Sequence, residues 1–398
     1  MLDGVKVLDF TQYLAGPTVT RLMAELGADI VKIEQAPGGD PSRALPVLRE
    51  GRSGYFVQQN RGKRSVCLDF SKPESLDVIR DLARGADVVV ENYGPGVLEK
   101  RGLDYESLRE LNPRLVMASI SAFGRRNSPY AHKVGFDTIA QAFSGFMHMT
   151  GAPDGPPQMV GVGFADVSAG VHALTGLGLA LYHRERTGRG QWVDISMIDC
   201  LFHAHELAVQ LVSLTNGRAQ PKRLGHHQGF PMGSFKGPEG WIVILALDRQ
   251  WPAFCRAIGR PDLAEDERFA DTRGRGRHRE ELIEITEAWM ATFDRDEEIL
   301  AVLEANRVPA APVLAPADAI GHPYYEEREM VRTVPDPILG EITIPGFPFK
   351  FSDWDDLPDL LAPRLGEHNA EALGAWAGYD PDRIASMTAA GVLCSGDT

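Results

Sequence analysis

Cysteine is scarce in this sequence. The four present, Cys67, Cys200, Cys255 and Cys394, lie far apart among 398 residues, and no CxxC pair occurs. A zinc ribbon or a disulfide framework is therefore not expected, no metal site is read, and a reducing compartment is. Positive charge is also short: 41 Lys+Arg against 55 Asp+Glu leave a net charge of −14. That balance speaks against a nucleic-acid partner, while leaving room for a local basic pocket for phosphates. Long apolar runs are missing too. The longest, Val171 to Tyr182, is interrupted by His172 and is too short to span a bilayer. The first residues, Met1-Leu2-Asp3-Gly4-Val5-Lys6, have no basic and apolar leader, and Cys394 stands one place off a prenylation box. These features predict a cytoplasmic protein with no membrane partner. The remaining composition, 43% hydrophobic and 24% charged, is that of a globular protein, and the length suits two to three domains.

The N-terminal half alternates between strand and helix patterns. Val5–Phe10, Ala28–Glu34, Ser65–Phe70, Ala86–Glu91 and Leu115–Ser121 read as strands, and Thr18–Leu26, Pro73–Arg84 and Tyr105–Asn112 as helices. Such alternation predicts a parallel sheet with helices on its faces. The middle reads as three helices, Gly135–Met149, Ser168–Arg184 and Ile195–Ser213. Beyond Thr215 the character changes. A strand at Trp241–Leu247 and helices at Trp251–Gly259, Arg279–Thr292 and Asp294–Asn306 predict a smaller α+β domain. We therefore expect an α/β protein: a Rossmann-like large domain with its N-terminal part over 1–220, a small domain over 225–325, and a segment over 326–398 returning to the large domain. The four arginines within Arg273–Arg279 read as a solvated surface stretch.

The first strand, loop, helix and second strand ending in Glu34 resemble the start of a dinucleotide fold. The glycines that a pyrophosphate requires are missing, however. The first loop has only Gly16 followed by Pro17, and Gly161-Val162-Gly163-Phe164-Ala165-Asp166 places an acid where a third glycine belongs. NAD is not expected.

Asp166 is the acid of greatest interest. It follows a glycine-rich run and stands directly before an apolar helical stretch. On spacing alone it reads first as an N-cap. A carboxylate between glycines at a helix start is also suited to attack on an activated acyl group, giving a mixed anhydride. Basic residues cluster at Asn60-Arg61-Gly62-Lys63-Arg64-Ser65, and Lys100 and Arg101 follow Asn92-Tyr93-Gly94-Pro95-Gly96. Such clusters suit a phosphate-bearing ligand or a solvated face.

Taken together, several stretches make the sequence resemble the class III CoA-transferases, which include formyl-CoA and carnitine CoA-transferases and the α-methylacyl-CoA racemases. They are Val7-Leu8-Asp9-Phe10 with Ala15-Gly16-Pro17; Leu26-Gly27-Ala28-Asp29 with Val31-Lys32-Ile33-Glu34; Asn60 to Ser65; Glu91-Asn92-Tyr93; Gly135-Phe136-Asp137 with Ala140-Gln141; Thr187-Gly188-Arg189-Gly190-Gln191; and Leu365-Gly366-Glu367-His368. The resemblance implies that Asp166, in Ala165-Asp166-Val167-Ser168-Ala169-Gly170, is the nucleophile, passing through an aspartyl anhydride and an aspartyl-CoA thioester. It implies an acyl-CoA and a carboxylic acid as substrates, with no permanently bound cofactor. Tyr13 and Ala15 are then expected along the thiol arm of CoA. Lys63, Asn92, Tyr93, Lys100 and Arg101 are expected at its adenine and phosphates, and Asp137 as a second acid near the nucleophile. The fold implied is a Rossmann-like large domain with a small domain, in an interlocked homodimer.

Departures narrow the reading. Leu14 stands where the formyl-CoA enzymes use glutamine, and their tetraglycine loop is replaced by Gly225-His226-His227-Gln228-Gly229-Phe230. Both argue against oxalate as acceptor and make the loop a candidate acyl contact. Phe136 stands where the racemases need histidine. Losing a base argues against racemisation, unless His226 or His227 replaces it. Gly94 stands where many relatives carry a basic residue.

Overall fold

The structure is a computed structural model and describes residues 1–223, 227–354 and 360–396. The chain forms two compact units. The first comprises Met1–Met147, Met159–Arg218 and Glu327–Thr398; the second, His148–Gln158 and Ala219–Glu326.

The first unit is built on one sheet. Its strands are β1 (Lys6–Phe10), β2 (Asp29–Gln35), β3 (Lys63–Leu68), β4 (Val88–Glu91), β5 (Val116–Ser121) and β6 (Trp192–Ser196). They lie in the order 3-2-1-4-5-6, all parallel, with the short strand Leu393–Cys394 antiparallel on the outer edge of β3. This is the doubly wound, Rossmann-like order, and it reverses direction between β1 and β4. Alternation along each strand feeds two cores. Leu8, Phe10, Val31, Ile33 and Val89 face the helices α2 (Pro73–Gly85) and α3 (Tyr105–Leu111). Val7, Ile30, Val88, Val90 and Val116 face α1 (Ala15–Glu25) and the long helix α5 (Phe164–Thr187), which follows α4 (Asp137–Phe143).

Three middle elements differ from the sequence reading. The stretch 135–149 is two helices, broken at Gly145, whose φ of +91° suits glycine. The stretch 195–213 begins instead with strand β6, and Ser196 then caps helix α6 (Met197–His203) by accepting from the Asp199 N–H. Trp192-Val193-Asp194-Ile195 is β-rich, and the open edge of β5 gives it a partner. Helix α5 begins at Phe164, so Asp166 lies inside its first turn and not before it.

The second unit holds a four-stranded sheet ordered Ala310–Pro312, Trp241–Leu245, Met232–Lys236, His227–Gly229, over helices Trp251–Ala257, Arg279–Met290 and Asp296–Ala305. The arginine-rich stretch is not wholly solvated. Arg275 is buried, lies 5.0 Å from the Trp251 ring centre and donates to the Phe269 carbonyl at 2.9 Å.

Buried charge gathers beneath the loop that leaves β1, from Asp9 near the end of β1, Lys32 in the middle of β2, Lys63 at the start of β3 and Asp40. Lys63 pairs with Asp9 at 3.0 Å and Lys32 with Asp40 at 3.0 Å, and all four side chains are excluded from solvent. Burial alone would raise the Asp9 carboxyl. Lys63, Lys32 and the Thr11 hydrogen bonds outweigh it and hold Asp9 at about 2. Lys32 also donates to the Thr11 carbonyl, and Asp40 accepts from the Tyr13 N–H at 3.2 Å. The ion pairs thus fasten the loop that leaves β1. Removing one partner strands a charge, so Lys32→Met is expected to lower unfolding stability by about 3–5 kcal/mol, read from the urea midpoint.

Candidate active site

In an open α/β sheet the carboxyl ends of the strands flank a crevice where the strand order reverses. Here that point lies between β1 and β4, and a cavity of about 210 Å³ occupies it. The β1–α1 loop contributes Gln12 to Ala15, the loop after β4 Asn92 to Pro95, and the end of β5 Ile120 to Ala122; Lys133 to Phe136, Met197 and Asp166 complete the lining.

Asp166 reaches the cavity because α5 packs closely on α1. A Cβ added at Gly170 would meet the Ala15 carbonyl at 2.8 Å, and one at Gly163 would meet Leu14 Cδ2 at 2.5 Å. Asp166 is not the cap of its helix. Gly163 holds the N-cap position and has no capping side chain. Asp137, from α4, does that work: its Oδ1 accepts from the Ala165 N–H at 2.7 Å and the Asp166 N–H at 3.2 Å. The N–H groups of Phe164 and Val167 go to the Val162 and Gly163 carbonyls. The first-turn amides are thus already occupied, and an oxyanion hole built from them is not available. The Asp166 carboxyl itself has no hydrogen-bond partner among the described residues. Burial, reinforced by the charge of Asp137, pushes its pKa up to about 7.

Tyr13 and Ala15 both line the cavity. Tyr13 holds a φ of +61°, a conformation that ordinary residues rarely adopt, and its N–H is tied to Asp40. Asn92 stitches the two loops together. It accepts from the Gln12 N–H and donates to the Gln12 carbonyl, both at 2.8 Å. Tyr93 lies beside it, its hydroxyl 3.4 Å from Gln12 Nε2. Lys63 is elsewhere: its ammonium is spent on Asp9 and Asn60 inside the protein, so it cannot meet a phosphate. Lys100 and Arg101 lie on the turn Glu99–Arg101, outside the cavity lining, with the Arg101 guanidinium 5.7 Å from the Phe70 ring centre. Glu34 has no capacity for a ribose, since Arg43, Ser65 and the Asp40 N–H all donate to it. Gly225 and His226 lie outside the described residues; His227, Gln228 and Gly229 form a short strand of the second unit.

The structure adds residues that the sequence did not single out. Among the described residues, Lys133 is the one lysine or arginine lining the cavity, its ammonium 3.9 Å from the centre of the Tyr130 ring. Ser121 ends β5 at the cavity, and its buried hydroxyl has no hydrogen-bond partner among the described residues. Position at a strand's carboxyl end is the signal that would have found it.

A family description, CoA-transferase family III, matches residues 2–369. The chain belongs to that family. It is 42% identical over 396 residues to the succinyl-CoA:mesaconate CoA-transferase of Haloarcula hispanica, covering 97% of this chain and 99% of that one. It is 34% identical to the formyl-CoA:oxalate CoA-transferase of Streptomyces avermitilis, over 98% and 99% of the two chains. Among solved structures, a CaiB/BaiF family protein from Brucella suis aligns with a TM-score of 0.82 and 36% identity, over 94% of this chain and 99% of that one. The protein is thus a CoA-transferase homologue across nearly its whole length, and CoA thioesters are the substrates of its family.

The ionisation of Asp166 has a consequence that can be measured. A carboxyl held above its ordinary value favours the fold when protonated and opposes it when charged. Its unfavourable contribution therefore grows as the pH rises from about 4, where the unfolded chain ionises, and is complete above about 7. Asp166→Asn is expected to raise the melting temperature most at about pH 8, less at about pH 5, and to leave it unchanged at about pH 3. Asp137→Asn removes the adjacent charge and is expected to lower the Asp166 value, read by carboxyl carbon NMR titration.

Proposed function

We propose that this chain moves CoA from an acyl-CoA donor to a carboxylic acid, with Asp166 as the covalent nucleophile. One observation carries the proposal: the Asp166 carboxyl, without a hydrogen-bond partner among the described residues, faces a cavity at the sheet's switch point. An Asp166 oxygen adds to the donor thioester carbonyl, the C–S bond breaks, and CoA leaves as thiolate. The product is a mixed anhydride. The thiolate then attacks the Asp166 carbonyl of that anhydride, which frees the donor acid and leaves an aspartyl-CoA thioester. The acceptor carboxylate attacks this thioester and expels the thiolate, which finally takes the acceptor acyl group and restores Asp166. Each bond broken is matched by one formed, so the thioester energy is conserved.

The chain's residues divide this work. Tyr13 and Ala15 guide the thiol arm, and Asn92 and Tyr93 form the wall beside it. Lys133, Lys100 and Arg101 are assigned to the phosphates; Lys63, being buried, supports the β1 loop. Asp137 orients Asp166. The mesaconate-acting relative, together with the apolar Leu14 and Phe136 at the cavity, supports a C4 or C5 dicarboxylic acid as a substrate in preference to oxalate.

A homodimer is part of the proposal. Helix α5 is long and apolar enough to cross a membrane by length and composition. One side of it is instead buried in the core through Ala169, Ala173 and Leu177. Its other side leaves Leu179 and Tyr182, one turn apart, at 66% and 63% exposure. Exposed apolar side chains along one side of a helix are a candidate contact surface, and a second copy would cover them. Light scattering is expected to give twice the chain mass, and Leu179→Glu to lower it.

Intact-mass analysis with succinyl-CoA, after hydroxylamine or borohydride trapping, tests the chemistry. An adduct on Asp166 is expected. Asp166→Ala is expected to abolish turnover and retain CoA binding. Binding and turnover with no adduct on Asp166 would refute the nucleophile. Solvent deuterium entering the α-carbon of a 2-methylacyl-CoA would favour racemisation.

A further inference from the structure

The role of Gln141 is not assigned by the chemistry above. It lies one turn after Asp137 on α4, and 1% of it is exposed. Its two amide ends are used in opposite senses. Nε2 donates to Asp137 Oδ2 at 2.6 Å, and Oε1 accepts from the Val160 N–H at 2.8 Å. The other oxygen of Asp137 takes the Ala165 and Asp166 N–H groups. A continuous chain therefore runs from Val160, before α5, through Gln141 and Asp137 to the backbone of the nucleophile.

We propose that Gln141 is a positioning residue for Asp166: it holds the Asp137 carboxylate across the first turn of α5 and ties down the segment that leads into that turn. This rests on Asp166 being the nucleophile.

The residue type fits the task closely. An ionised carboxylate only accepts, and a backbone N–H only donates, so the bridge between them needs a donor at one end and an acceptor at the other. Glutamine supplies both without charge. Glutamate would repel Asp137 unless protonated, lysine has no acceptor, and leucine has neither group. Gln141 is itself buried between half-buried partners, so an unmade bond would leave a buried amide group unpaired. The position of Asp137 matters through the reaction. In the proposed cycle Asp166 alternates between a charged carboxylate and neutral acyl forms, while Asp137 stays beside it. Were Asp137 free to turn away, the α5 first turn would lose two acceptor contacts and Asp166 would lose its fixed aim.

The experiment compares the rate of adduct formation on Asp166 in wild type, Gln141→Leu and Gln141→Glu, with CoA binding measured alongside. Misplacing a reacting group by an ångström costs on the order of 100-fold, so Gln141→Leu is expected to slow adduct formation by about 10- to 100-fold with CoA affinity unchanged. Gln141→Glu supplies the same shape and is able to bridge once it holds a proton. The titratable groups around it are Asp137, Asp166 and Tyr55, the last coupled electrostatically to Asp166. Because wild type itself slows in acid as Asp166 takes a proton, the reading is the ratio of variant to wild-type rate. That ratio is expected to rise as the pH falls from about 8 to about 5.5. A Gln141→Leu protein that forms adduct at the wild-type rate would overturn the proposal. So would a flat ratio for Gln141→Glu, which also decides the matter if Gln141→Leu does not fold. Absence of any Asp166 adduct in wild type would instead remove the nucleophile itself, and this inference with it.

Discussion

Two lysine–carboxylate pairs sealed beneath the β1–α1 loop are the constraint on which the rest of the site depends. Asp9–Lys63 and Lys32–Asp40 have no solvent to weaken them. Such pairs return little net stability over an apolar core, because each ion was first stripped of water. Their value here lies in what they fix. Lys32 holds the Thr11 carbonyl, Asp40 holds the Tyr13 N–H, and Thr20 on α1 donates to Asp9 at 2.8 Å. The loop, the start of α1 and strands β1, β2 and β3 are thereby locked together. Tyr13 is kept at a positive φ that the loop would not hold on its own.

Once that loop is fixed, the position of Asp166 follows from packing. Helix α5 crosses α1 at Gly170, closely enough that a methyl group there would clash with the Ala15 carbonyl. The contact sets where the first turn of α5 emerges, and Asp137 then occupies its amides. The carboxylate that caps the helix and the carboxylate that meets the cavity are therefore different residues. This division frees the Asp166 oxygens. A capping aspartate has its oxygens bound to N–H groups, which lowers basicity. Asp166, relieved of that task and partly buried beside another acid, keeps a high affinity for a proton.

Much of this was legible in the sequence. The alternation of Val7, Leu8 and Phe10, or of Ile30, Val31 and Ile33, carries the parallel sheet, because both faces of each strand are buried. Asp166 stood out through its glycines. Lys63 was misread, since Asn60 to Ser65 has the composition of a solvated or anion-binding loop. Only the fold shows that β3 begins there and turns Lys63 inward to Asp9. The partners of Asp137 could not be read either. Its bond to Gln141 spans four residues of one helix, but its bond to the Ala165 N–H spans twenty-eight and depends on how α4 meets α5. Strand β6 was hidden for a similar reason: Trp192–Ser196 is short, and its identity comes from the edge of β5 it joins.

The raised proton affinity of Asp166 also bears on the direction of the proposed exchange. A more basic carboxylate attacks a thioester more readily but departs less readily from the second anhydride, where it is the leaving group. If only the first mattered, the enzyme would trap itself as an acyl form. The charge of Asp137 works in the same direction, because it makes the restored Asp166 anion costly. What opposes trapping is the cycle itself: a thiolate attacks each anhydride and a carboxylate departs, the donor acid from the first and Asp166 from the second, and the acids exchanged are close in basicity to an ordinary aspartate. The forward and reverse steps are then nearly balanced, as a transfer that conserves a thioester requires. A basic residue in place of Asp137 would favour the free carboxylate and weaken attack, which gives a physical reason for placing a second acid at the mouth of α5.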